Sequence, residues 1–127
     1  YGGLVHMMPV YAVFLLIFTM ANIALPGTSS FVGEFLLLLG IYKTNVTSCI
    51  VGALGVILCG AYSLWLYNRI IFGNLKIAFV VKFKDMNFRE FIILLPLLIL
   101  VIFMGVYPSF FSNFIHLAVC NLSLVTL

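Results

Sequence analysis

The chain has few charged side chains, and no Asp, Glu, Lys or Arg lies in its first 33 residues. Charged residues make up 7% of the 127, against about 25% in an ordinary soluble domain, whereas 65% are hydrophobic. A small soluble domain exposes too much of its surface to hide that many apolar side chains. The chain is therefore predicted to be an integral membrane protein, with membrane lipid as a partner.

Two further absences exclude other classes of protein. The six basic residues are spread along the chain and form no patch beside exposed aromatic side chains, so no nucleic-acid partner is expected. The three cysteines form no C-x-x-C pair and have no histidine at metal-ligand spacing, so we expect buried thiols and no metal site. The chain opens on Tyr1 instead of methionine, and we expect either a piece of a longer polypeptide or a naturally split protein.

The first spanning element is predicted to be a broken helix. Residues 9–25 and 31–42 are mostly apolar runs, and a cluster of helix breakers separates them. The breakers are Pro26, Gly27, Thr28, Ser29 and Ser30. At about 1.5 Å per residue the second run rises roughly 18 Å, which is too short to cross a bilayer core of about 30 Å. We therefore predict one discontinuous helix over residues 9–42, with a simple kink as the alternative.

Two more spans and a tail follow. Residues 46–68 carry no charge, and a face of small residues on this helix predicts close packing against protein. That face consists of Gly52, Gly55, Cys59 and Ser63. Residues 91–107 form a short third span, and the tail over residues 108–127 is predicted to be an amphipathic helix at the membrane interface. Residues 1–127 are thus predicted to be all-α, with three transmembrane elements and an amphipathic C-terminal helix.

The basic residues predict the orientation of the chain. Five of the six lie in the connection over residues 69–90, and only Lys43 lies between the first two spans. The positive-inside rule places this long connection and Tyr1 on the cytoplasmic or matrix side, and the tail on the opposite side. Asp85 and Glu90 lie in or beside the same connection and are interpreted as part of a solvated loop of mixed charge.

Glu34 is the one acid outside that polar region. It precedes Lys43 by nine residues, so it is predicted to lie roughly 13 Å from the outer end of its half-helix, near the middle of the bilayer. A charge there costs about 2.5–3.5 kcal/mol on insertion scales, and an intramembrane acid indicates function by default. If Ser30 caps the second half-helix, Glu34 lies in its first turn, where the helix dipole favours a carboxylate. We interpret Glu34 as a proton relay; the alternative is a neutral acid that locks two helices together.

A second candidate for proton handling is His6, at the inner mouth of the first span. An imidazole at this place could take up protons and hand them on into the span. The alternative interpretation is a solvated interfacial histidine with no role in transport.

The residues around the break also carry a resemblance to a known family. Residues 25–35 read Leu-Pro-Gly-Thr-Ser-Ser-Phe-Val-Gly-Glu-Phe, with Gly2-Gly3-Leu4 ahead of them and Tyr62-Ser63-Leu64, Arg69 and Phe72-Gly73 after them. This order and spacing resembles the antiporter-like membrane subunits of NADH:ubiquinone oxidoreductase, respiratory complex I. The resemblance covers essentially the whole chain and corresponds to the C-terminal third of such a subunit.

The resemblance implies a fold and an activity. The family has two inverted five-helix repeats in one larger helical bundle, each with a broken helix, and this chain would supply the second broken helix. Glu34 falls on the family's glutamate at the end of a central hydrophilic axis, where the sibling subunits 2 and 5 carry lysine. The resemblance thus implies proton translocation coupled to NADH oxidation and quinone reduction in other subunits, with no cofactor or redox centre in this chain.

Partners and location follow from the same resemblance. The expected partners are other membrane-arm subunits of complex I, especially the neighbouring antiporter-like subunits 2 and 5. The Phe-, Ile-, Lys- and Asn-favouring composition favours a multi-pass protein of the mitochondrial inner membrane, with a bacterial plasma membrane as the alternative. Two other functions stay open: a subunit of a multi-subunit cation/proton antiporter, and a membrane scaffold that transports nothing.

Overall fold

The computed structural model describes residues 2–74 and 84–125, and all regular structure among them is helical. A 3-10 turn over Leu4–His6 precedes the helices α1 (Pro9–Asn22), α2 (Ser29–Thr44), α3 (Val46–Ile71), α4 (Phe88–Val106) and α5 (Pro108–Val125). The all-α prediction is confirmed. Lys76 and Lys82 of the basic connection lie outside the described residues, as do Tyr1 and the last two residues of the predicted tail.

The helix ends differ from the predicted ones by a few residues. Helix α3 continues beyond residue 68 to Ile71, so that Arg69 lies in its last turn. Helix α4 begins at Phe88 and not at residue 91, because the Glu90 carboxylate accepts a hydrogen bond from the backbone N–H of Asn87 at 3.1 Å. The tail forms α5, which begins at Pro108, a residue whose fixed φ suits the first helical position.

Helices α1 and α2 pack in succession along α3. The Tyr67 hydroxyl lies 3.4 Å from the Ala12 carbonyl oxygen, and the Cys49 Sγ lies 3.5 Å from the Leu38 carbonyl oxygen. Late residues of α3 thus face early residues of α1, and early residues of α3 face α2, so α3 runs antiparallel to both. Its 26 residues rise about 39 Å, more than α1 or α2 with 14 and 16 residues. The two halves therefore follow one another along the length of a single spanning helix.

A small buried core joins the start of the chain to the end of α3. It consists of Leu4, Ala12, Tyr67 and Ile71. The backbone N–H of Gly3 also donates to the carbonyl of Phe72 at 3.2 Å. Residues 2–4 and the residues directly after α3 therefore lie at one end of the bundle. We call this the inner end, and the end where α2 meets α3 the outer end.

Two of the described helices, α3 and α4, are long and apolar enough to cross a membrane by length and composition, and α1 is a shorter apolar helix. Their apolar side chains are largely exposed in this chain, as Ile57 (66%) and Leu58 (67%) show. A soluble protein seldom exposes an apolar surface of this extent. These features confirm the integral membrane fold class.

The small-residue face of α3 packs against the broken helix only in part. A Cβ on Gly52 would lie 3.4 Å from the Leu38 Cδ2, but a Cβ on Gly55 would meet no described atom within 4 Å. Gly60 is the second close position, since its Cβ would lie 3.5 Å from the Ile23 Cγ2. At 3.6 residues per turn, Gly55 and Gly60 lie on opposite sides of Gly52, about 60° and 80° away. The predicted packing is thus confirmed at Gly52 and stays a prediction at Gly55, where the described residues leave the helix face open.

Candidate functional site

The first half of the broken helix ends in a defined cap. Ala24 adopts a φ of 60°, in the left-handed region that residues with a side chain seldom occupy. The Leu25 N–H donates to the Met20 carbonyl at 3.1 Å, and the Ala24 N–H donates to the Ala21 carbonyl at 3.2 Å. These two bonds form a Schellman motif, which usually has glycine where this chain has Ala24. The interruption is therefore a capped helix end and not a kink in a continuous helix.

A tight turn follows the cap and completes the break. The Thr28 N–H and the Thr28 hydroxyl both donate to the Leu25 carbonyl, at 3.0 and 2.8 Å. Gly27 adopts a φ of 98°, and Pro26 precedes it. This hydrogen bond, the proline and the positive φ match a type II turn. The breaker residues Pro26 and Gly27 thus act through one specific turn geometry, which holds the ends of α1 and α2 together.

The second half of the broken helix begins earlier than predicted. Ser29 and Ser30 belong to α2 and not to the break, and the extended residue before the helix is Thr28. Thr28 makes no side-chain cap, because its hydroxyl donates to Leu25. The expectation that Ser30 caps the helix is therefore wrong. Glu34 becomes the sixth residue of α2, in the second turn, where the field of the helix dipole has largely fallen off.

Glu34 lies in an apolar crevice between the two halves of the broken helix and α3. The crevice has a volume of about 140 Å³, and Ala24, Phe35 and Val56 contribute to its lining together with Glu34. The Glu34 Oε2 is buried and has no hydrogen-bond partner among the described residues. Burying a polar atom without a partner costs free energy, and more so if the group is charged. The break thus holds a carboxyl group with one oxygen unsatisfied by the described part of the chain.

Helix α4 contacts the break through Gly105, a residue that the sequence analysis did not single out. A Cβ added to Gly105 would lie only 2.5 Å from the Gly27 carbonyl carbon and 2.6 Å from the Thr28 carbonyl carbon. Only a residue without a side chain allows the backbone of α4 to approach this turn so closely. A lone glycine within an apolar span was the available signal, but it does not reveal its partner.

The structure does not bring His6 to Glu34. His6 is exposed and lies in the 3-10 turn at the inner end, before α1. The 14 residues of α1 rise about 21 Å between this turn and the break. A direct proton transfer between the two side chains is excluded by that separation.

The cysteines are less buried than predicted. Cys49 and Cys59 are half-buried, whereas Cys120 is exposed. The Cys120 Sγ lies 3.6 Å from the His116 Nδ1, because residues four apart share one helix face. The expectation that no histidine lies at metal-ligand spacing from a cysteine is therefore wrong at this pair, which is four residues apart. No group of three or more metal-binding side chains occurs in the part of the chain that the structure describes.

Residues 1–60, which contain the whole break, match the family model described as "NADH:quinone oxidoreductase/Mrp antiporter, TM". The matched segment therefore includes Glu34 and the turn around Pro26 and Gly27.

Known proteins with similar sequences carry one consistent description. The chain is 54% identical over 122 residues to NADH-ubiquinone oxidoreductase chain 4 of Marchantia polymorpha and 53% identical to chain 4 of Triticum aestivum. It is 48% identical to NADH-quinone oxidoreductase subunit M of Rhodobacter capsulatus. Each match covers 96% of this chain but only 24–25% of the relative. The chain thus spans about a quarter of the length of these curated relatives, and not the third that the resemblance predicted.

Proposed function

Since the chain belongs to the antiporter-like membrane subunits of the NADH:quinone oxidoreductase/Mrp antiporter family, we propose that it is the C-terminal part of subunit 4 of respiratory complex I. It contributes to moving protons across the membrane, while NADH oxidation and quinone reduction take place in other subunits. We expect the redox cofactors to lie in those other subunits and not in this chain. Its partners are the other membrane-arm subunits, with subunits 2 and 5 as its neighbours, and its location is the mitochondrial inner membrane.

The observation that carries this proposal is the unpartnered Oε2 of Glu34 at the break of a discontinuous helix. A carboxylate only accepts hydrogen bonds, whereas a protonated carboxyl also donates one. A carboxyl group without a neighbouring donor has no hydrogen bond that holds it as the carboxylate, so it is free to accept a proton and release it again. In other transporters the binding sites for ions and substrates are formed at the breaks of discontinuous membrane helices. Glu34 therefore acts as a proton relay and breaks no covalent bond other than its own O–H.

The route to Glu34 needs further groups. His6 is exposed at the inner end, and we keep it as a candidate for proton entry from that side. About 21 Å of α1 separates it from the break, so other side chains or waters have to connect the two. Three quarters of the length of the relatives lies outside this chain and is available for that purpose.

The relay is tested by Glu34→Gln in the assembled complex. NADH-driven acidification of sealed membrane vesicles and NADH oxidation are measured in the same sample, and assembly is checked on native gels. Glutamine keeps the size and one acceptor oxygen but carries no exchangeable acid proton. We expect acidification and coupled NADH oxidation to fall together by at least about tenfold while the complex stays assembled.

Glu90→Gln is the matched control, since it makes the same chemical change in the first turn of α4, away from the crevice that holds Glu34. Glu90 accepts its hydrogen bond from Asn87 within the first turn of α4, and a glutamine oxygen can accept it equally well. We expect wild-type acidification in this variant. Wild-type acidification and turnover in Glu34→Gln would contradict the relay.

A cation/proton antiporter that is not coupled to redox chemistry is the second candidate, because the family description includes the Mrp antiporters. Co-migration of the chain with NADH-oxidising activity on a native gel separates the two. The names of the similar proteins, NADH-ubiquinone oxidoreductase chain 4 and NADH-quinone oxidoreductase subunit M, favour the redox-coupled complex. Absence of the chain from any NADH-oxidising band would favour the antiporter.

A further inference from the structure

The first half of the broken helix receives its N-terminal cap from a distant part of the chain. The Asp85 carboxylate accepts hydrogen bonds from the backbone N–H groups of Val10 at 3.2 Å and Tyr11 at 3.4 Å. It also accepts the N–H of Met86 at 2.8 Å. Asp85 and Val10 are 75 residues apart in the sequence. Asp85 thus lies in the connection, as interpreted, but its carboxylate also caps α1.

The start of α1 has no local substitute for this cap. Met8 precedes the helix and makes no side-chain cap, and Pro9 follows it at the first helical position. The first N–H groups of a helix have no acceptor within the helix. Proline has no backbone N–H, so Pro9 leaves no such group to be capped. The first two N–H groups of α1 that need an acceptor are therefore those of Val10 and Tyr11, and both donate to the Asp85 carboxylate. A carboxylate at this position also interacts favourably with the helix dipole.

Asp85 lies three residues before α4, and α4 then runs beside α1 as far as the break. The rings of Phe14 and Phe91 meet edge to face with centroids 5.4 Å apart near the inner end. Gly105, near the last residue of α4, meets the backbone of Gly27 in the turn. The broken helix is thus held at three levels, by Asp85 at its first turn and by α4 at its second turn and its break.

We propose that Asp85 is a positioning residue, which fixes the inner half of the broken helix against α4 and thereby sets the position of the break and of Glu34. The inference rests on the proposed function in its last step only, because the cap itself is independent of proton transport. Loss of the carboxylate frees the first turn of α1 and lets α1 shift relative to α4. The turn at Gly27 then moves with α1, and the surroundings of Glu34 change.

The cap is tested by amide hydrogen–deuterium exchange of the intact complex, in wild type, Asp85→Ala and Glu90→Gln. We expect exchange of the Val10 and Tyr11 amides to rise about tenfold or more in Asp85→Ala, since hydrogen bonds to a charged group are lost. The Ala12 amide serves as an internal reference, because its bond to the Met8 carbonyl at 3.1 Å does not involve Asp85. Glu90→Gln removes the same charge from the neighbouring turn and is expected to leave all three amides unchanged.

The positioning step is tested by the pH profile of NADH-driven acidification in the same variants. We expect Asp85→Ala to move the half-maximal pH by at least about half a unit, because the surroundings of Glu34 change. Glu90→Gln is expected to leave the profile in place. If Asp85→Ala does not assemble, Asp85→Asn replaces it, since the amide keeps one acceptor oxygen and should free only one of the two N–H groups.

Unchanged exchange at Val10 and Tyr11 in both Asp85 variants would overturn the cap and the proposal with it. Raised exchange with an unmoved pH profile would overturn the positioning of Glu34. Wild-type acidification in Glu34→Gln would instead contradict the relay, and the exchange experiment would still decide whether Asp85 holds α1. The two failures are therefore distinguishable.

Discussion

The two ends of α1 each have an acid nearby, and the two acids have opposite surroundings. At the inner end the Asp85 carboxylate accepts three backbone N–H groups, from Val10, Tyr11 and Met86. At the other end of α1, which lies at the break and is called here the outer end of α1, the Glu34 Oε2 accepts none from the described residues. Partial burial raises the pKa of Asp85, but the three N–H donors outweigh it and hold the pKa of this carboxyl below its ordinary value.

This difference separates an acid whose hydrogen bonds cap a helix from the acid that we propose as the proton relay. Because the pKa of Asp85 is lowered in the folded chain, the stabilisation by its cap is fully present above the ordinary pKa of aspartate. It is lost only as the pH falls through the lower folded value. The cap therefore stays formed throughout the neutral range, in which a proton relay has to work. The Glu34 Oε2 has no donor among the described residues, so no hydrogen bond to this oxygen holds the carboxylate form.

The largest expected effect comes from substitutions of Gly105, which disturb the contact of α4 with the outer end of α1 and not the cap at its inner end. A Cβ at Gly105 would lie 2.5–2.6 Å from backbone carbons of Gly27 and Thr28, and backbone cannot move aside as a flexible side chain can. We expect Gly105→Ala to cost about 1–3 kcal/mol and Gly105→Val more, with loss of the assembled complex on native gels.

The matched control is Gly40→Val in α2, where an added Cβ meets no described atom within 4 Å. We expect this variant to assemble. In any Gly105→Ala complex that assembles, amide exchange should rise at Leu25 and Thr28 but not at Val10 and Tyr11. Wild-type assembly and stability of Gly105→Val would show that the close contact at the break is not required.

Part of this arrangement could be predicted from the sequence, and part could not. The break at Pro26 and Gly27 and the acid beside it were predictable, because turn residues and intramembrane charges act locally. The contact of Asp85 with α1 was not, since it joins groups 75 residues apart and hydrophobic periodicity carries no information on such pairs. Gly105 was missed for the same reason. The expected cap by Ser30 failed because the tight turn ends at Thr28 and the helix starts directly after it.

A smaller effect is expected when Glu34 is given a hydrogen-bond donor, as Asp85 already has. Val56 of α3 lines the crevice that holds Glu34. Threonine has nearly the shape of valine, and its hydroxyl could donate to the unpartnered Oε2. A hydrogen bond to a charged group contributes about 1.5–3 kcal/mol, and 1.4 kcal/mol corresponds to a factor of ten. We expect Val56→Thr to slow NADH-driven acidification about tenfold in an assembled complex, because the carboxylate form is then held by a donor.

Val51→Thr is the control for this change. Val51 lies on the same helix, is 69% exposed and does not line the crevice. Its threonine hydroxyl can bond the backbone carbonyl one turn earlier just as that of Val56→Thr can, so the control also covers that side effect. Equal acidification rates in the two variants would show that Glu34 does not depend on its lack of a donor.

The smallest effect is expected from Ala24→Gly, because it changes only the backbone strain at the outer end. The left-handed φ of Ala24 costs about 1–2 kcal/mol, which glycine avoids, whereas glycine loses about 0.4–1 kcal/mol through the entropy of the unfolded chain. The Schellman bond from the Leu25 N–H to the Met20 carbonyl should thus become stronger, and exchange of that amide should slow about two- to fivefold. Ala24→Val should speed the same exchange, since β-branched residues tolerate this conformation least.

The inner end of α1 is the control for both variants. None of the described residues from Met8 to Tyr11 has a positive φ, so the Val10 and Tyr11 amides should exchange as in wild type. A parallel change at Val10 and Tyr11 would mean that strain at the break reaches the cap, and that the two ends of α1 do not behave as separate sites.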